Sequence, residues 1–492
     1  MTIGLSLATL KDLQADIRVP AYRRDDLKAG ILHFGVGNFH RAHQAVYLDE
    51  LFSAGHSHDW ALIGAGVRPA DAEMRDALAA QDWLTTVVEQ DATTKNARVT
   101  GAMIDYIEPG NTIRILDTLA DPAIRIVSLT ITEGGYFIDA ASGKFNPQHP
   151  EIQHDALNPD APKTVFGLIL AGLQRRHANG HPPFTVMSCD NIPGNGHVTA
   201  DAVVGLAELS DPAFGVWIRQ NVAFPNGMVD RITPATGDRE RAMVTESFGV
   251  RDNWPVVCET FRQWVVEDHF PTGRPALEKV GVTFVEDVAP YELMKIRILN
   301  GGHAAIAYPA GLMDIHFVHD AMANPLVSGF LEKVEQDEIL PVVPPVPDTD
   351  LQAYFQKVGE RFANPTVGDT VRRLCLDGSN RQPKFILPSV NDQLARGGNI
   401  TGLAMVSALW CRYCAGTTDS GAKIAPNDPD WARLNERALA ARDNPEAFLA
   451  MEDIFGPLAK SQTYVHAFSK ALTAIWRDGT KTTLEHYLAG TF

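Results

Sequence analysis

Ile31-Leu32-His33-Phe34-Gly35-Val36-Gly37-Asn38-Phe39-His40-Arg41-Ala42-His43 is the stretch whose reading decides the fold. Ile31 to Phe34 form a short strand that stops at a glycine, and a helix is expected from Ala42 to Ser53. A strand, G-x-G and a helix in that order make the context in which a dinucleotide is held. The first glycine makes the tight turn, the second lets the backbone approach the pyrophosphate, and the helix start offers amide donors. The third glycine of the fingerprint is missing, with Phe39 and His40 in its place. An ordinary tight turn between strand and helix is therefore the competing reading. Gly35, Gly37, Asn38 and Phe39 are the cofactor-binding candidates from this turn. The fingerprint also asks for an acid beyond the second strand, here Trp60–Ile63, and Asp71 follows it. A carboxylate there repels a 2′-phosphate and favours NAD; Arg68 would accept that phosphate and points to NADP. Either residue also reads as solvated surface.

Working outward, Trp60–Ile63, Ile124–Ile131 and Phe184–Met187 are further buried strands, and Trp83–Val88 with Val99–Ile107 reads as a hairpin. Val165–Leu173, Val198–Leu209 and Phe214–Val222 have helical apolar spacing, and short strands are expected at Met228-Val229, Val256-Val257 and Val282–Val285. Strands alternating with helices imply a mostly parallel sheet covered on both faces. From Tyr291 onward β-branched runs disappear and the pattern is helical. The expected fold class is α/β: an N-terminal Rossmann-like domain with a mostly parallel sheet, plus a C-terminal mainly α-helical domain. The domains divide as residues 1–288, a dinucleotide-binding α/β domain, and 289–492, a mainly helical substrate-binding and catalytic domain. The active site is expected in the cleft between them.

Composition narrows the function. The chain has 492 residues and a formal net charge of −17, which argues against nucleic acid and against an anionic membrane surface as partners. Five cysteines rule out a disulfide scaffold. Cys411-Arg-Tyr-Cys414 is a lone C-x-x-C inside an apolar helical stretch, with no second ligand pair for zinc, and is read as two packed thiols. No secretory signal and no membrane-length apolar run occur, so a cytoplasmic location is expected.

Chemistry-bearing residues cluster at strand ends and on one helix. Ile124–Ile131 leads to Thr132-Glu133-Gly134-Gly135, and Phe184–Met187 leads to Ser188-Cys189-Asp190-Asn191. Ligands of open parallel sheets bind beyond the carboxyl ends of strands, so Glu133 and Asn191 are candidates to face one cleft. Turn and cap chemistry is the alternative, and it is the preferred reading for Asp190. In Tyr291-Glu292-Leu293-Met294-Lys295-Ile296-Arg297-Ile298-Leu299-Asn300-Gly301-Gly302-His303, an increment of 100° per residue puts Lys295, Asn300 and His303 within a 140° arc. A lysine flanked by Met294 and Ile296 is expected to have a lowered pKa, which suits a general base. Taken singly, Lys295 also reads as a snorkelling surface lysine and His303 as a core histidine.

Gly35–His43, Val127–Tyr136, Thr185–Asn191, Met228–Thr233 and Lys295–His303, in this order, together resemble the polyol-specific long-chain dehydrogenase/reductase family. The resemblance implies metal-independent, reversible hydride transfer between C2 of a polyol (D-mannitol) and NAD, giving a ketose (D-fructose). It implies Lys295 as general base, Asn191 and Asn300 as donors to the developing alkoxide, His303 as orienting group and Glu133 as proton relay. Asp230 and Arg373 match positions that bind the polyol chain, and Asp71 a position that selects NAD over NADP. One departure is Arg381, where mannitol-oxidising members carry lysine; Arg381 and Lys384 are further substrate-binding candidates. Because Arg373, Arg381 and Lys384 could hold a carboxylate, a keto-uronate reductase is the alternative, alongside a sorbitol or arabinitol dehydrogenase. A nucleotide-binding regulator would not need Lys295, Asn300 and His303 together. No metal is expected, and the resemblance suggests a monomer.

Overall fold

The computed structural model describes residues 2–66, 68–139 and 143–492. The chain divides into two compact units, Met1–Ala289 and Pro290–Phe492.

The first unit is built on five parallel strands: β1 Ala29–Phe34, β2 Ala61–Ala65, β3 Met103–Ile107, β4 Ile126–Leu129 and β5 Thr185–Ser188. Their spatial order is β3-β2-β1-β4-β5. Leu32, Phe34, Val127, Leu129 and Val186 enter one core with the helices Val165–Ala178 and Asn195–Ser210. Their neighbours Ile31, Ile126 and Met187 enter a second core on the opposite face. Both faces are covered, which is why these strands read as apolar runs rather than as alternation. The strand order reverses between β1 and β4, so the loops leaving those two strands diverge. That is where a doubly wound sheet opens its ligand crevice.

Two local expectations are corrected. The helix after the glycine turn starts at Asn38, not Ala42: it runs Asn38–Ala42, breaks at His43 (φ −120°, ψ −87°) and resumes as Gln44–Ser53. The supposed hairpin arm Val99–Ile107 is two strands in two sheets. Lys95–Thr100 pairs antiparallel with Thr85–Gln90, while Met103–Ile107 joins the main sheet as β3. The chain leaves the hairpin at Gly101, whose N–H donates to the buried Asp49 Oδ1 at 2.9 Å instead of to a strand. A Cβ at Gly101 would lie 3.1 Å from both Pro20 and Tyr22, so the crossing is made at a glycine.

The hairpin also pairs with Val256–Glu259, and a third sheet joins Gly227–Asp230, Gln263–Glu267 and Thr283–Val285. A knot of ions around the buried Arg98 and Arg231 ties these pieces together. Arg98 donates to Glu50 (2.5 Å) and Glu89 (3.2 Å), Arg262 donates to Glu50, and Arg231 donates to Glu89 (2.6 Å) and to the carbonyls of Ala42 (2.6 Å) and Glu259 (2.9 Å). The Arg231 side chain has no exposed surface. Each charge is both paired and hydrogen-bonded, the condition under which burying it is tolerable.

The second unit is helical. Thr401–Cys414 is buried over almost its whole length, Cys411 and Cys414 included, and packs on the long helix Gln462–Leu488. Gly301–Leu312 is buried on nearly every side. Two π-helical turns, Lys295–Asn300 and Glu335–Ile339, pack against each other. No helix among the described residues is long and apolar enough to cross a membrane. Among those residues no group of three His, Cys, Asp or Glu side chains is placed to hold a metal.

Candidate functional site

In the first unit the site starts at the glycine turn. Gly35 has φ +87°, and a Cβ there would lie 2.1 Å from the Thr130 carbonyl oxygen, so only glycine fits. A Cβ at Gly37 would meet nothing but the Gly35 carbonyl at 3.8 Å, so the lip of the turn is open. The Gly35 carbonyl accepts from the Gly37 N–H (2.7 Å) and from Thr130 Oγ1 (2.6 Å). Behind it, His33 Nε2 lies 3.0 Å from Thr130 Oγ1 and His33 Nδ1 lies 2.8 Å from Ser128 Oγ, which donates to Gln44 Oε1. His40 takes the region of the missing third glycine and stacks on His33, with ring centroids 3.5 Å apart. Burial holds His33 down to a pKa of about 3 and lowers His40 as well, so the stacked rings are neutral and do not repel. The helix packs closely on the strand here through flat rings instead of a bare backbone.

The other residues of the motif are largely struts. The Asn38 carboxamide donates to Pro234 O (3.0 Å) and Thr236 Oγ1 (3.1 Å) and accepts from Arg41 Nη2 (2.7 Å). Asn38 therefore has its main chain, not its side chain, to offer at the turn. Phe39 stacks on His43, which is held by the Gln263 carbonyl and pushed down to a pKa of about 3 by burial. Asp71 opens the helix Asp71–Ala79 beyond β2, and its Oδ2 accepts the Arg68 N–H at 3.0 Å; the Arg68 side chain is exposed.

Glu133 and Asn191 sit in the turns after the neighbouring strands β4 and β5, both exposed. The residue that joins those turns is Asp190, whose buried carboxylate accepts from Ile131, Thr132 and Tyr136. The sequence signals no more than a turn acid there, because its partners come from the turn after another strand. Asp230 is buried at the end of Gly227–Asp230, close enough to His43 for its charge to act on that ring.

In the second unit Lys295, buried, and Asn300 and His303, half-buried, lie on one continuous helical run. The 100° increment does not hold across it, because Lys295–Asn300 is π-helical. In a π turn residue i+5 follows residue i as i+4 does in an α-helix. Lys295 and Asn300 therefore share a face, where α-helical counting sets them 140° apart. His303 stacks on Phe362 at 4.2 Å. Arg373 forms a two-pronged ion pair with Asp369, which raises its pKa further and neutralises its charge locally. Arg381 Nη1 donates to the Leu374 carbonyl at 3.0 Å, and Lys384 is exposed one turn on in the same helix.

Two family models match the chain: the Mannitol dehydrogenase Rossmann domain over residues 29–279, and the Mannitol dehydrogenase C-terminal domain over residues 287–476. The chain is 59% identical over 471 residues to mannitol 2-dehydrogenase of Cereibacter sphaeroides, covering 96% of this chain and 98% of that protein. It is 42% identical to the Aspergillus oryzae mannitol 2-dehydrogenase, covering 96% of each. Among solved structures, Pseudomonas fluorescens mannitol 2-dehydrogenase, in a ternary complex with NAD and D-mannitol, matches with a TM-score of 0.87 at 42% identity over 99% of this chain and 100% of that one. A substrate-free D-sorbitol dehydrogenase matches with a TM-score of 0.91 at 34% identity over 98% and 100%.

Proposed function

We infer the activity of this chain from its family: it belongs to the mannitol dehydrogenase family and is an NAD-dependent polyol dehydrogenase that interconverts D-mannitol and D-fructose. The observation that carries this is 59% identity to a mannitol 2-dehydrogenase over nearly the full length of both chains. The residues at the turn fit NAD: Gly37 has no side chain to fill the lip, and Asp71 stands beyond β2. When bound, NAD supplies the hydride acceptor.

The chain's own groups do the rest in this reading. Lys295, which is buried, takes the proton of the C2 hydroxyl. Asn191 and Asn300 donate to the oxygen as it becomes an alkoxide. The π turn supports that role for Asn300 by placing it on the face of Lys295. His303 orients the same oxygen, its ring fixed against Phe362. Glu133, exposed, passes the proton on to water. Asp230, Arg373, Arg381 and Lys384 read the remaining hydroxyls. The Asp369–Arg373 pair favours a neutral polyol over a uronate, because the arginine's charge is already met.

Turnover of mannitol, sorbitol, arabinitol and fructuronate with NAD and with NADP tests the reading. Mannitol with NAD is expected to lead; turnover of the uronate alone overturns it. Lys295→Ala is expected to abolish oxidation while NADH still binds. The resemblance also carries a monomer that works in the cytoplasm, to be checked by light scattering and fractionation.

A further inference from the structure

We infer that Asp190 is a positioning residue whose carboxylate clamps the turn after β4 to the end of β5, and so holds Glu133 and Asn191 where the reaction needs them. The inference rests on the roles proposed above for those two residues.

The turn after β4 is strained. Thr132 has φ +66° and ψ 162°, and Phe137 has φ +52°; between them Glu133–Tyr136 forms a single 3-10 turn. A β-branched residue at positive φ is an outlier that persists only where its surroundings over-determine it. Asp190 supplies that constraint. Its Oδ1 accepts the Thr132 N–H at 2.9 Å, and its Oδ2 accepts the Ile131 N–H at 2.9 Å and the Tyr136 O–H at 2.7 Å. One carboxylate thus takes hold of the turn at both ends, with Glu133 in between. The Tyr136 hydroxyl also lies 2.6 Å from Ser188 Oγ on β5, and the Asp190 N–H donates to the same Ser188 Oγ at 3.2 Å.

The other side of the clamp bears on Asn191. The Asp190 carbonyl accepts the Ile192 N–H at 2.9 Å, a three-residue turn with Asn191 at its apex, and accepts Asn195 Nδ2 at 3.0 Å. Backbone bonds alone would fix Asn191 relative to β5. The side chain of Asp190 fixes that apex relative to the Glu133 turn. A carboxylate is required because three donors converge on it; an amide has one acceptor oxygen and would turn an N–H toward a donor. Burial raises the carboxyl's pKa, the three donors oppose that, and the charge of Glu133 adds to it, which marks Glu133 as a near neighbour.

The test uses Asp190→Asn in the full-length protein, with kcat and KM for mannitol oxidation, the Kd for NADH and the thermal midpoint all measured. The kcat is expected to fall about 10- to 100-fold, the scale of a displacement near 1 Å. The NADH Kd should stay within about twofold, because the glycine turn is held by Thr130 and His33 and not by Asp190. A kcat within twofold of the parent overturns the proposal, as does a loss of NADH affinity in step with kcat, which marks a general scaffold. If Asp190→Asn does not fold, Tyr136→Phe decides. It removes the hydroxyl that meets both Asp190 Oδ2 and Ser188 Oγ and keeps the ring in the core, and a parent-like kcat there overturns the proposal. Turnover by the parent protein tests the underlying reading, whereas the variant-to-parent ratio tests the clamp, so the two fail distinguishably.

Discussion

Replacing Glu335 with glutamine should stabilise the helical unit at neutral pH and remove much of its sensitivity to pH. Glu335 is fully buried, and neither carboxyl oxygen has a hydrogen-bond partner among the described residues. A Cβ on Gly302 would lie 3.2 Å from its Oε1, with Leu331 and Phe362 at 3.4 Å. In that apolar slot burial alone pushes the pKa well above the ordinary glutamate value. The folded chain keeps the proton, while the unfolded chain releases it near pH 4.3. The stability this group contributes is therefore complete below the unfolded pKa and is lost as pH rises toward the folded one, by about 1.4 kcal/mol per pH unit. Between pH 5.5 and 7.5 the parent should lose stability relative to Glu335→Gln, which has the same shape and no proton to lose, for as long as the folded carboxyl keeps its proton. Glu335→Met should add about 1–3 kcal/mol more by removing the unpartnered polar atoms. Urea unfolding of the parent and both variants at pH 5.5, 6.5 and 7.5 gives the answer. The variant-minus-parent difference cancels every other titrating group. Parent and Glu335→Gln curves that run parallel in pH would refute the reasoning, since the carboxyl would then be charged or partnered in the folded chain.

Glu338 accepts the N–H groups of Gly402 (2.7 Å) and Leu403 (2.8 Å), and burial raises its pKa to about 7. Its contribution to stability should decline as pH rises from about 4.5 to about 7 and then level off, and Glu338→Gln should lack that step in the same urea series. Gly35→Ala drives a Cβ into the Thr130 carbonyl at a positive φ. It should cost at least about 2 kcal/mol and weaken NADH binding more than about tenfold, read by fluorescence titration. Arg231→Met leaves the partly buried Glu89 with Arg98 alone and should cost about 1–3 kcal/mol in urea unfolding. Adding Glu89→Gln should recover part of that loss; strict additivity of the two would show that they do not act as a pair.

The parallel sheet was legible because its strands are short runs buried on both faces, as at Ile126–Leu129, and because helices separate them. Where one apolar run crosses between sheets, the pattern is silent. Val99 and Met103 belong to different sheets, and the switch is set by a hydrogen bond from Gly101 to Asp49, far away in sequence. The same holds for Asp190. Its chemistry depends on Thr132 and Tyr136, which lie on the preceding crossover, and no local spacing announces them. His40 shows the converse. A missing glycine weakens the fingerprint, yet the close packing that glycine would provide is supplied by two stacked neutral imidazoles.

The helix of Lys295 and Asn300 carries the more general point. Counting at 100° per residue assumes the i→i+4 ladder, and it sets these two residues far apart on the helix surface. The π turn widens the ring by one residue and returns Asn300 to the line of Lys295. Such a turn has poorer local stability than an α turn, so it persists where packing compensates. Here it packs against a second π turn, Glu335–Ile339, which holds the unpartnered Glu335 carboxyl and the helix-capping Glu338. Two irregular turns, one carrying Lys295 and Asn300 and the other a buried acid, thus lie together. Were the segment regular α-helix, the proposed base and the proposed amide donor would diverge. The shared face of Lys295 and Asn300 is therefore a property of the tertiary contact, not of the sequence Lys295-Ile296-Arg297-Ile298-Leu299-Asn300 taken alone.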